Sequence, residues 1–262
     1  MPSKQQKQQQ YNGHGDANDH GRAADFITSI PEVPVTRERP IWSHKNVKEA
    51  GVARANAAVT ETSPHGTIEG HYTAKHSHQT VLQQHIDFFD LNHDGVITPL
   101  ETYLAFRSLK YNPLFAILSA LFIHLGLSYA TLDPSSFLPD PIFRIFTRNI
   151  HRAKHGSDTG TYDNEGRFRS QMLHDLFTKH GERKDDGEWG LTLRQAMNAI
   201  MAHRSFLDLF GITAAVFEWL ATYFVIWPED GIMTLEDVRG VYDGSYFYKV
   251  AGRVPEIVVK HD

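Results

Sequence analysis

The pattern of apolar and polar positions divides the chain into four stretches. From Met1 to about residue 65, Gln, Asn, Gly, His and Pro dominate, and the few apolar residues keep no helical or strand period. That composition predicts a mostly disordered polar arm over 1–65. From His78 the run "HQTVLQQHIDFFDLNHDGVITPLETYLAFRSL" gathers Val81, Leu82, Phe88 and Phe89 on one side of a helix, breaks into a polar turn, and resumes a helical pattern after Thr98. His85 sits in the middle of that apolar side, and the stretch predicts a helix–loop–helix within 66–110.

Residues 114–132, "LFAILSALFIHLGLSYATL", carry no charge. At 1.5 Å per residue they extend roughly 28 Å, close to the thickness of a bilayer core. Ser119, His124, Gly126 and Ser128 interrupt the run, and Pro134, Pro139 and Pro141 crowd its far end. A spanning helix, a hairpin or re-entrant segment, and a buried core helix all fit that pattern. Region 111–141 is expected to be a lipid-associating apolar segment with a proline-rich turn, and His124 is awkward for deep burial in lipid.

After Asp140 and Pro141, "IFRIFTRNIHRAKH" places Ile142, Phe143, Ile145, Phe146, Ile150 and Ala153 on one side of a helix, with Arg144, Arg148, Arg152 and His151 on the other. Gly156 is a natural stop. The pattern predicts a basic amphipathic helix, either resting on anionic lipid or covering a soluble domain. A C-terminal helical region completes 142–262, and the fold class is mainly α.

Composition narrows the chemistry. The chain is long enough for one large or two small domains. Its net charge of −5 argues against nucleic acid as a partner. The absence of cysteine removes disulfides, thiolate metal sites and thiol catalysis, so oxygen or imidazole must hold any metal, and there are 16 histidines. The first residues lack the apolar core of a signal peptide, so secretion by that route is not expected.

The polar turn matches the calcium loop of an EF-hand, D-x-[DN]-x-[DN]-G-x5-E. Asp90, Asn92 and Asp94 fill positions one, three and five, and Gly95 supplies the sharp turn. Val96 offers its carbonyl, Thr98 coordinates directly or through water, and Glu101 closes the site. Two further segments echo this pattern. "EDGIMTLEDV" (229–238) has Ile226 and Pro228 where carboxylates belong, and "KDDGEWGLTLRQ" (184–195) contains a Thr192/Gln195 capping-box pattern. Either could be a calcium-free, degenerate mate of the first loop, and 229–238 is favoured.

Among the histidines, His151 and His155 are spaced i, i+4 and could share one metal, although solvated imidazoles are the commoner explanation on a polar face. His85 is either a satisfied core histidine or a neutral imidazole of the kind a haem iron accepts. No nucleophile elbow, Walker loop or dinucleotide fingerprint competes.

The blocks "VLQQHIDFFDLNHDGVITPLETY" (81–103), "LSYATL" (127–132), "NIHRAKHGSDTGTYDNEGRF" (149–168) and "YDGSYF" (242–247) together resemble the caleosin family, in its fungal-type form, from about residue 78 to 250. These are lipid-droplet, calcium-binding peroxygenases of plants and fungi. The resemblance implies a single EF-hand, a central apolar segment with a proline-rich turn, calcium and haem b. His85 and His155 would be the haem-binding and catalytic histidines, with the proximal one unassigned. It implies reduction of fatty-acid hydroperoxides and oxygen transfer to unsaturated lipids by hydroxylation or epoxidation. It further implies the cytoplasmic face of lipid droplets and the endoplasmic-reticulum membrane, monotopic or single-pass. A homo-oligomer is left open. The competing class is a non-enzymatic lipid-droplet structural protein or calcium sensor.

Overall fold

The computed structural model describes residues 55–253 and is mainly helical, as expected. The arm expected over 1–65 therefore lies largely outside the described residues. Its last part is packed: Ala55 pairs with Phe168, Ala58 is buried, and Thr60, Thr62 and Ser63 all donate to the Glu236 carboxylate.

Helix α1 (Tyr72–Lys75) leads to α2 (Val81–Asp87), whose start is fixed by a capping box between Thr80 and Gln83. The polar loop follows, then the two-residue strand β1 (Val96–Ile97) and helix α3 (Pro99–Ser108). Helix α4 (Pro113–Thr131) carries the apolar run and starts at the Asn112 cap.

The basic amphipathic helix expected after Pro141 does not form. Ile145–Phe146 are a strand, β2, and Thr147–Ala153 are a 3-10 helix. The arginines are not presented as a lipid-facing row. Arg144 pairs with Asp140 at 2.7 Å, Arg148 with Asp133 at 3.2 Å, and Arg152 donates to the Leu132 carbonyl at 2.5 Å. They tie the proline-rich turn back onto the body, and pairing of Ile145 with Ile97 holds their segment extended.

The C-terminal part runs α5 (Ser170–His180), β3 (Glu182–Arg183), β4 (Trp189–Thr192), α6 (Leu193–His203), α7 (Leu209–Ile226), β5 (Ile232–Thr234), α8 (Leu235–Tyr242) and α9 (Ser245–Ala251). Strand β4 pairs antiparallel with β5, Leu191 opposite Met233. The segment favoured as a mate for the 90–101 loop is thus mated to 184–195, while β1 is taken by β2. The reason is packing: Leu191 and Met233 are fully buried in the main core, whereas Ile97 joins Ile145 and Ile150 in a separate small cluster. At each junction of β1, β4 and β5 with its helix a threonine caps the helix, namely Thr98, Thr192 and Thr234. Each cap contributes on the order of 1 kcal/mol.

Helix α4 has an inverted arrangement for a helix packed on a protein. Its buried positions are Ala116, Ala120, His124, Ser128 and Thr131, a small and polar stripe, whereas Leu114, Leu118, Leu121 and Leu125 are exposed. His124 is 2% exposed: Nδ1 donates to the Phe143 carbonyl at 2.6 Å and Nε2 accepts from Thr102 Oγ1 at 2.8 Å. Ser128 donates to the Arg144 carbonyl, so two of the interruptions in the apolar run, His124 and Ser128, are residues that dock the helix.

Candidate active site: a cavity between His85 and His155

Helices α2, α4, α7 and α8 and the 150–162 segment enclose a cavity of about 310 Å³. Its wall is mostly apolar and aromatic, including Phe89, Phe106, Phe122, Phe217 and Trp219. His85 and His155 both line it, so the structure brings together the two histidines expected to act together. Among the described residues, His151 is not part of that wall, and the i, i+4 spacing has no meaning here because the 3-10 helix ends at Ala153.

His85 is oriented by the corner between α8 and α9. Its Nδ1 donates to the Val241 carbonyl at 2.7 Å, and its ring stands edge-on to Phe247 with centroids 5.2 Å apart. Burial pushes the imidazole below its usual range, only partly opposed by the Val241 bond, so the ring is neutral at pH 7. With the proton fixed on Nδ1, Nε2 keeps a free lone pair. Gly244, in the "YDGSYF" block, makes this corner possible. It adopts φ +82°, and a Cβ there would lie 2.6 Å from the Gln84 carbonyl oxygen and 3.1 Å from the His85 Cα.

His155 follows the 3-10 helix in extended chain, its side chain 8% exposed. Its Nε2 lies 3.6 Å from the Glu218 carboxylate, while its Nδ1 is buried with no hydrogen-bond partner. Burial works to lower the imidazole, but the Glu218 carboxylate prevails and His155 is held above its ordinary value. The neighbouring "KHGSD" residues anchor the segment. Ser157 donates to Asp208, the cap of α7, at 2.8 Å, and Lys154 pairs with Asp158 at 3.0 Å. Thr159 Oγ1 and the Tyr242 hydroxyl lie 2.8 Å apart, and Tyr162 donates to the Tyr242 carbonyl at 2.5 Å. The histidines therefore mark a polar end of an otherwise greasy chamber.

Sequence reading missed Glu218 and the helix that carries it. The signal was available: "LFGITAAVFEWLATYFVI" contains one charged residue in 18, and that residue is the one that meets His155.

The 90–101 loop abuts this chamber through Ile97, and Phe89 just before it is also part of the wall. Asp90 accepts from Asp94 N at 3.1 Å and Gly95 N at 2.8 Å; Asn92 Oδ1 accepts from Asp94 N, and Asp94 Oδ1 accepts from Val96 N. Thr98 and Glu101 form a capping box, in which Glu101 Oε2 accepts from Thr98 N and Oγ1. The other carboxylate oxygen, Oε1, is buried without a partner. Burial pushes the Asp90 carboxyl up to about 6. Among the described residues no three acidic or imidazole side chains converge as a ready metal-binding group.

A mostly apolar chamber with a few convergent polar groups is the kind of concavity in which small molecules and cofactors bind. Residues 77–251 match the family described as caleosin related protein. A peroxygenase from Lilium longiflorum is 40% identical over 227 residues, which is 86% of this chain and 91% of that protein. A probable peroxygenase 4 from Arabidopsis thaliana is 36% identical over 169 residues, 64% of this chain and 84% of its own length. A probable inactive peroxygenase-like protein from the same plant is 28% identical over 145 residues, covering 55% and 67%. No solved structure matches. The chain belongs to the caleosin family, and its enzyme class is that of the peroxygenases, oxidoreductases that take oxygen from a hydroperoxide.

Proposed function

We propose that the chamber would hold haem b with His85 and His155 as its haem-binding residues and that the protein reduces fatty-acid hydroperoxides, passing the oxygen to an unsaturated lipid. The reading rests on one observation above all: two histidines from distant parts of the chain line one apolar cavity, each with a ring nitrogen left without a protein partner. His85, locked in one tautomer by Val241, would hold the iron through its other ring nitrogen. Bound haem would supply the cleavage of the O–O bond and the transfer of its oxygen. The chain's own residues would set the ligand geometry, exclude water with the aromatic wall, and place the Glu218 carboxylate beside His155 Nε2 at the polar end. The balance is ROOH plus acceptor giving ROH plus oxygenated acceptor.

The 90–101 loop is read as an EF-hand binding calcium through Asp90, Asn92, Asp94, the Val96 carbonyl, Thr98 and Glu101. Buried, unpartnered Glu101 Oε1 supports this, since it lacks the ligand a twelfth-position glutamate supplies itself to. The outward leucines of α4 are read as facing a lipid monolayer such as that of a droplet, with the helix lying along the surface.

The decisive experiment is an absorption spectrum of the purified protein with metal analysis. A Soret band that is lost in His85→Ala, together with turnover of a fatty-acid hydroperoxide, supports the reading. Full colour in that variant removes the ligand assignment. Colourless protein that still binds calcium favours the sensor or structural class to which a relative with an inactive name points.

A further inference from the structure

Helices α4 and α7 are the two described helices long and apolar enough to cross a membrane, and about a third or less of each is buried. They run antiparallel, as their contacts show: Gly126 faces Phe210, Phe122 faces Phe217, and Phe115 faces Phe224. Phe210, Phe217 and Phe224 recur every seventh residue on α7 and so form one stripe, each ring part-exposed. The contacts between the helices are made by rings. Phe122 and Phe217 have centroids 4.4 Å apart, and a Cβ on Gly126 would meet the Phe210 ring at 2.9 Å. Those same four residues also line the histidine chamber. One side of the seam is therefore the cavity and the other is an exposed apolar face.

The end of the seam carries the most exposed large apolar residues. Phe137 is 89% exposed just beyond α4, and Phe206 is 91% exposed just before α7, so both lie where α4 finishes and α7 begins. Water is a poor solvent for such tips, whereas the acyl region of a lipid layer accommodates them, and they adjoin the leucine face of α4.

We propose that the Phe122/Phe217 and Gly126/Phe210 seam is a lateral entrance, through which acyl chains pass from a lipid layer into the chamber without crossing water. α7 is then a second lipid-facing helix, and its phenylalanine stripe is the gate. The glycine at 126 keeps the closed seam thin, and rotation of two rings opens it with no backbone movement. The polar end at His155, Asp158 and Thr159 is left to small, water-soluble molecules.

The chain has no cysteine, so Phe122→Cys/Phe217→Cys provides a unique pair in the full-length protein. A short reducible bis-methanethiosulfonate closes the seam, and thiol reagent reopens it in the same molecule. The first readout is independent of turnover: transfer of doxyl-stearic acid from phosphatidylcholine vesicles into the protein, followed by the immobilised component of its paramagnetic resonance spectrum. Closure should slow transfer about tenfold while the protein still floats with the vesicles, and reduction should restore it. Phe210→Ala, which thins the gate without a reagent, should speed transfer. Equal transfer in linked and reduced forms overturns the entrance, as does loss of flotation on linking, since the seam would then be the anchor itself.

A second readout rests on the peroxygenase reading: the ratio of vesicle-embedded linoleic-acid hydroperoxide turnover to tert-butyl hydroperoxide turnover should fall about tenfold on closure. If neither hydroperoxide is consumed but transfer is gated, the entrance stands and the enzymatic reading fails. If both are consumed at an unchanged ratio, the enzymatic reading stands and the entrance fails.

Discussion

Gly244 rests against the backbone that carries His85: a Cβ at Gly244 would come within 3.1 Å of the His85 Cα. Two segments far apart in the chain are thereby forced into register, and the Val241 carbonyl that orients His85 is delivered by the same corner.

Gly244→Ala must pay both for a left-handed backbone and for the overlap with the Gln84 carbonyl. A loss of about 2–4 kcal/mol is expected. Thermal unfolding followed by circular dichroism checks the stability. On the haem reading the Soret intensity should fall more than the helix content, because the imidazole is re-aimed before the fold is lost.

His124→Leu would raise the apolarity of α4 and, on hydropathy alone, improve a lipid-buried helix. The structure predicts the opposite sign for stability, because the Thr102 hydroxyl and the Phe143 carbonyl lose their partner. A cost of roughly 1–3 kcal/mol is expected, read as a lower urea midpoint in detergent-free buffer. A midpoint at or above that of the parent chain would contradict the docking role.

Glu218→Gln should lower the titration midpoint of His155, since the carboxylate is what holds that imidazole above its usual range. The sign for folding follows. A raised imidazole stabilises the fold below its unfolded midpoint, and this contribution disappears as pH climbs through the folded midpoint. The variant should therefore lose its advantage on the acid side while matching the parent above neutrality. Imidazole proton resonances of the haem-free chain across pH 5–8.5 provide the measurement, on the ordinary histidine range of about 6.5.

Calcium binding, if the loop acts as proposed, should weaken as pH falls through about 6, where Asp90 takes up its proton. The raised carboxyl also means that the calcium-free fold gains stability on acidification through that range, while the calcium-bound fold loses it. Titration calorimetry at pH 7.5 and 5.5 should show the drop. Glu101→Gln should abolish binding at both values while preserving the start of α3, because an amide oxygen can still accept from Thr98.

Much of this arrangement could be read from residues. The loop at Asp90, the inward aim of His85 and the extent of α4 all follow from local periodicity and turn chemistry, which need no knowledge of the rest of the chain. Orientation was not legible where a segment is apolar all round. Nothing in "LFAILSALFIHLGLSYATL" says that the small residues face inward and the leucines outward, because that choice is made by Thr102 and the Phe143 carbonyl. The basic helix failed for a related reason: Arg144 and Arg148 had carboxylate partners and Arg152 a carbonyl partner in the preceding turn, and Ile145 had a strand partner at Ile97. The place of His155 depended on the same failure, since a helix there would have turned it away from the chamber.

The outward leucines of α4 have a consequence for how attachment and folding are related. The main core lies elsewhere, around Phe88, Phe168, Phe177, Leu191 and Met233. On the proposed lipid-facing role of α4, partition to a surface and cooperativity of unfolding would be governed by separate sets of side chains, and one could be tuned while the other is held fixed. If these leucines meet lipid as proposed, polar replacements at Leu118, Leu121 and Leu125 would weaken flotation with vesicles while leaving the melting temperature unchanged, α7 and the Phe137 and Phe206 tips keeping part of the attachment.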